Sequence, residues 1–155
     1  MGRIVTMRRR GFRAERELAA MLNGFDGVAA WRIPASGTTA AYLPGDKSFS
    51  LPDVLAIRCE PFTVYGFQVK ATEKPRFVLR GKDLVGLQLF ASQLERNHIP
   101  AECYATVKFV GAGWVIRRVE GFGDDKNRYV FQREEAVRLR QAVLLVLGKQ
   151  RTVDM

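Results

Sequence analysis

The 155-residue chain is 47% hydrophobic and 26% charged, a balance that excludes a disordered tail, a collagen-like repeat and a disulfide-rich mini-protein. That length predicts one domain able to bury about 70% of its unfolded surface. Lys and Arg number 25 against 16 Asp and Glu, for a net charge of +9, and so basic a compact domain selects acidic partners, nucleic acid ahead of a membrane surface. No apolar stretch nears the ~20 residues of a membrane helix, and the opening residues lack the apolar core of a signal peptide.

In chain order, Ala14, Leu18, Met21, Leu22 and Phe25 recur at helical spacing and predict a helix over 11–25. A strand over 28–33 follows, closed by Pro34, and then a long loop over 35–51 rich in Gly, Ser and Thr, of a length that often serves function. Residues 53–58 and 63–71 predict two antiparallel strands joined by a turn at Glu60-Pro61. A second helix is expected over 82–96, with Leu84, Leu87, Phe90, Ala91 and Leu94 on one side, and His98 at its end in a capping or surface role. Residues 103–109 and 114–118 predict a further hairpin, 128–132 a short strand, and 133–147 a terminal helix packed on the body or on a partner. The order of elements implies an α/β domain, a mixed central sheet flanked by helices. Trp31 and Trp114 are expected in the core. Cys59 and Cys103 predict buried, reduced thiols of a cytoplasmic protein rather than a disulfide, and with the one histidine they are too few for a zinc site.

Within strand 63–71, Tyr65, Phe67 and Val69 share one face while Gly66, Gln68 and Lys70 share the other. Asp53 opens the neighbouring strand after Pro52. A carboxylate, an amide oxygen and a lysine meeting at one sheet edge suit a hard cation such as Mg²⁺, which takes oxygen ligands and one or two protein carboxylates. Read alone, Pro52-Asp53 equally suits a turn, and Gln-x-Lys a solvated strand.

The run Arg8-Arg9-Arg10-Gly11-Phe12-Arg13-Ala14-Glu15-Arg16-Glu17-Leu18, with Trp31-Arg32-Ile33-Pro34-Ala35-Ser36-Gly37, Pro52-Asp53 and Gln68-Val69-Lys70, resembles the archaeal Holliday junction resolvases of the PD-(D/E)xK nuclease superfamily. The resemblance covers about residues 8–118, with the segment over 128–148 appended to one nuclease-like domain. It implies a restriction-endonuclease-like fold and a Mg²⁺-dependent endonuclease that resolves four-way DNA junctions as a homodimer, in a cytoplasmic, nucleoid-associated setting of archaeal type and away from membranes. It further implies Glu15, Asp53 and Gln68 as metal ligands, Lys70 beside the attacking water, and Ser36 on a loop near the scissile phosphate. Arg8, Arg9, Arg10, Arg13, Arg16 and Arg32 then contact DNA, and Phe90 and Leu94 form the dimer contact. Gln68 departs from the family's glutamate and removes one negative charge from the site. The loop over 38–51 looks longer than usual, and its Tyr42, Asp46, Lys47 and Phe49 suit DNA or dimer contact. Two other functions fit the same residues: a junction- or duplex-binding protein with weakened or lost catalysis, and a restriction- or repair-type nuclease.

Overall fold

The computed structural model describes residues 2–34, 51–120 and 128–148, with side chains except at 2–9 and 82. Ser36 and the loop residues Tyr42, Asp46, Lys47 and Phe49 lie outside the described residues.

Helix α1 runs Gly2–Asn23, nine residues earlier than the apolar periodicity predicts. Gly11 interrupts the pattern in sequence but not in space, since nothing lies within 4 Å of where its Cβ would stand. The arginine-rich start is therefore helical. Strands β1 (Val28–Arg32), β2 (Val54–Cys59) and β3 (Phe62–Thr72) form an antiparallel meander. β4 (Arg76–Arg80), absent from the sequence reading, precedes α2 (Gly81–Arg96), and β5 (Ala101–Phe109) then returns parallel to β3. β6 (Gly113–Arg118) pairs antiparallel with β5, completing a five-stranded sheet in the order β1-β2-β3-β5-β6. β7 (Arg128–Gln132) pairs with β4 in a separate two-stranded ribbon. The expected terminal helix over 133–147 is shorter: a 3₁₀ turn at Arg133–Glu135, a bridge between Val137 and Trp114, then α3 (Leu139–Leu147). Gly113 makes that bridge possible, because a Cβ there would lie 2.5 Å from the Val137 carbonyl oxygen. Its φ of +137° also suits only glycine well.

Strand alternation divides the core in two. Val54, Ala56, Tyr65, Phe67 and Val69 turn toward α1 and α3 and meet Leu18, Leu22, Val143 and Leu147. Cys103, Ala105, Val107 and Phe109 turn the other way, onto Leu84 and Leu87 of α2 and onto Leu79 and Phe131 of the ribbon. β7 and α3, the segment read as appended, thus contribute to both cores. Asn23 fastens the end of α1 to edge strand β1: its amide donates to the Ala30 carbonyl (2.9 Å) and its oxygen accepts the Ala30 N–H (2.8 Å). α2 ends as its sequence implies. His98 takes a φ of +62°, its N–H bonds the Glu95 carbonyl, and the Ile99 N–H reaches the Leu94 carbonyl; this is the Schellman cap.

Two burial expectations are corrected. Trp31 is 49% exposed, because its face of β1 has no helix over it, whereas Trp114 is buried as expected. Cys59 is exposed at the end of β2, and only Cys103 is buried; both thiols are free. Among the described residues no helix is long and apolar enough to cross a membrane.

Candidate active site

The site forms where β2 stops pairing with β3. Asp53 closes the ladder with its main chain, its N–H donating to the Phe67 carbonyl and its carbonyl accepting from Ile33, both at 2.9 Å. Pro52 precedes it and has no N–H to continue the ladder. The Asp53 carboxylate instead takes up the next donor of β3, with Oδ2 accepting the Val69 N–H at 2.8 Å. The side chain is thereby fixed in a place that is only 8% exposed. One step past the Val54–Phe67 pair, Gln68 lies across from Asp53, and Lys70 follows it on the same face. Both are partly exposed.

Glu15 reaches this place from α1, where Ala14, Leu18 and Leu22 anchor the helix on the sheet. It too is buried, and its Oε2 accepts a 2.6 Å hydrogen bond from Arg32 Nε. Burial raises the Glu15 pKa above the ordinary carboxylate value, opposed first by the Arg32 hydrogen bond; the Asp53 charge adds to the rise, while the Arg32 and Lys70 charges pull it down. Glu15, Asp53, Arg32 and Lys70 thus share one electrostatic environment.

The structure therefore brings together four of the five expected catalytic residues, Glu15, Asp53, Gln68 and Lys70; Ser36 falls outside the described residues. Gly66, on the strand face of Gln68 and Lys70, is covered: Leu87 and Phe90 of α2 come within 3.3 Å of its Cβ position. Arg32, expected on DNA, holds Glu15 and lies 4.3 Å above the Phe12 ring. Strand parity signals that Arg32 needs a carboxylate, since it shares a face with Val28 and Ala30 and turns toward a core, but it does not say which one. Arg13 and Arg16 are exposed on α1, Arg13 within 3.4 Å of Glu17, and Arg10 pairs with Glu73 at 2.9 Å. Arg8 and Arg9 lie on the same helix. Sequence reasoning missed Lys108, whose Nζ donates to both Glu17 oxygens at 2.8 and 2.9 Å and locks α1 to β5.

For a cation, the place offers two carboxylates and one amide oxygen. Among the described residues no group of three His, Cys, Asp or Glu stands ready for a metal. An all-oxygen set with two carboxylates fits Mg²⁺, which keeps several of its waters, and two carboxylates in one buried place repel each other in a way a cation would offset.

Comparison with known proteins gives the family and the fold. The family model for archaeal Holliday junction resolvase matches residues 6–151, past the end of the motif resemblance at Arg118. Among solved structures, the 1.6 Å structure of Archaeoglobus fulgidus Hjc, a Holliday junction resolvase from an archaeal hyperthermophile, superposes with a TM-score of 0.60 at 20% identity. The alignment covers 89% of this chain and 95% of that one, which establishes the shared fold. No curated protein sequence matches significantly. A buried acidic pair beside a lysine, on this fold and under a family match that spans most of the sequence, leads to one assignment: the chain belongs to the archaeal Holliday junction resolvase family.

Proposed function

We propose that this chain is a Mg²⁺-dependent endonuclease that cuts four-way DNA junctions as a homodimer. The observation that carries the catalytic reading is the convergence of buried Glu15 and Asp53 with Lys70 at the end of the β2–β3 ladder. Glu15, Asp53 and the Gln68 amide oxygen would hold the ion, which supplies positive charge to the scissile phosphate and the leaving oxygen. Arg32 orients Glu15, and the Val69 N–H orients Asp53, so neither carboxylate has to be immobilised at the moment of reaction. Lys70 places a positive charge toward the phosphate or takes a proton from the attacking water. Arg13 and Arg16, with Arg8 and Arg9 on the preceding turns, grip backbone phosphates without reading sequence. For Ser36, which lies outside the described residues, the family resemblance implies a role near the scissile phosphate.

The dimer reading is supported by an uncovered strip of sheet. Trp31, Leu55 and Gly66 form one cross-strand row on a single face. α2 covers the row at Gly66 through Leu87 and Phe90, Trp31 at its other end is half-exposed, and Phe90 and Leu94 are themselves only partly buried. A two-fold copy laid on this strip would bury it and set two sites against two strands of a symmetric junction. A second reading, a junction-binding protein with weakened cleavage, is favoured by one observation: a neutral Gln68 in the donor set.

The test incubates wild type and Asp53→Asn with labelled four-way junctions and matched linear duplexes, in Mg²⁺ and in EDTA. Wild type is expected to cut junctions in Mg²⁺ only, and Asp53→Asn to bind without cutting, because an amide oxygen still accepts the Val69 N–H. Equal cutting of duplex would favour a restriction- or repair-type nuclease. Full cutting by Asp53→Asn would remove the assigned site.

A further inference from the structure

The β4–β7 ribbon carries a charge arrangement that the described residues leave unbalanced. Register places Arg80 directly opposite Arg128, Val78 opposite Val130, and Arg76 opposite Gln132. Alternation puts all six on one face, because Leu79 and Phe131, with Phe77 and Tyr129 behind them, turn inward to the α2 core. The three arginines are exposed. No carboxylate among the described residues forms an ion pair with any of them, and three acids near the ribbon bond elsewhere: Asp83 accepts the Arg80 main-chain N–H, Glu135 pairs with Arg117, and Glu73 with Arg10. Like charges directly opposite one another destabilise a strand pair. An external anion relieves that cost.

The position of the ribbon identifies the anion. β4 leaves β3 through Glu73–Pro75, at the Lys70 end of the strand, and the Arg10–Glu73 pair ties the basic start of α1 to the same corner. Val107, the Cα partner of Lys70, lies in the buried cluster that holds Leu79 and Phe131. Arg76 and Arg80 are four residues apart, about 13 Å at ~3.3 Å per residue, long enough to follow three or four phosphates of one strand at about 3.4 Å of helix rise each.

We propose that the outer face of the β4–β7 ribbon, through Arg76, Arg80 and Arg128, is a second phosphate-binding surface that holds the DNA arm next to the cut site. This inference rests on the nuclease reading for its choice of DNA. The surface carries no base-reading pattern, so it adds affinity and orientation, not sequence preference.

The test is the salt dependence of binding by the full chain, measured by fluorescence anisotropy on a four-way junction and, separately, on a linear duplex. Each phosphate contact contributes about 0.9 to the slope of log affinity against log salt. Combining Arg76→Gln, Arg80→Gln and Arg128→Gln should make the slope shallower by about 2 to 3. Combining Arg76→Lys, Arg80→Lys and Arg128→Lys keeps the charges and should restore the slope. An unchanged slope in a glutamine variant whose circular dichroism and melting match wild type would overturn the proposal. The duplex arm reads the ribbon even if no junction is cut, so a failure of the resolvase reading is seen separately.

Discussion

Replacing Arg58 by methionine tests how the C-terminal helix is held without touching the site. Arg58 is a buried arginine at 8% exposure in β2. Its Nη1 donates to the Leu147 carbonyl at the end of α3 (2.9 Å), and its Nε donates to the Glu60 carbonyl (3.2 Å). The first bond puts a cation on a helix C-terminus, where unpaired carbonyls concentrate negative charge. A hydrogen bond from a charged donor contributes about 1.5–3 kcal/mol, and the longer contact to Glu60 less than that. Methionine keeps the apolar stem, so packing is largely preserved and the loss is electrostatic. Arg58→Met should therefore cost about 2 kcal/mol in urea unfolding, or a fall in Tm of about 4–8 °C for a chain of this size. Arg58→Lys, with a point charge in place of a fork, should lose about half as much. Because α3 packs on α1 away from Glu15, cleavage at 25 °C should persist in both variants. A loss under about 0.5 kcal/mol for Arg58→Met would show that the guanidinium is not what secures the end of α3.

Gln68→Glu adds a negative charge to the proposed donor set at nearly constant shape, so it should lower the Mg²⁺ concentration needed for half-maximal cleavage; an unchanged Mg²⁺ titration would remove Gln68 from the ligands. If the chain forms the proposed dimer, Leu94→Glu, which puts a charge on the partly buried side of α2, should convert it to monomer in sedimentation, whereas a persisting dimer would move the interface elsewhere. Burial pushes the Cys103 thiol up to about 12, so at pH 8 iodoacetamide should label exposed Cys59 and spare Cys103, as read by peptide mass spectrometry; the thiolate at Cys103 grows in only as pH rises toward that value, and rapid double labelling of the folded protein would contradict its burial. The Thr106 hydroxyl is fully buried with no hydrogen-bond partner among the described residues, so Thr106→Val should stabilise the fold by about 1 kcal/mol; destabilisation would mean that the hydroxyl is satisfied by an internal water.

How far the sequence reached, and where it stopped, follows from the range of the forces involved. Periodicity is local, so α2, the β1 strand and the β2–β3 and β5–β6 hairpins were legible, and alternation along β3 already set Gln68 and Lys70 against Phe67 and Val69. The cap at His98 was legible for the same reason, since a helix end is decided by its last turn. The site motifs carried a family resemblance because chemistry needs fixed residue types at strand ends. β4 was not legible: Arg76–Arg80 is short, and its partner strand β7 lies about fifty residues away, so only closure of the chain turns it into a strand. Alternation states which face a residue takes but not whether anything covers that face, and hence Trp31 and Cys59 are exposed where an apolar run suggested burial. The tertiary fold alone decided that Arg32 serves Glu15, that Phe90 fills the space at Gly66, and that Arg80 stands opposite Arg128. Each of these is a contact between segments whose meeting no local energy specifies, and each exists because burying both faces of the sheet forces those segments together.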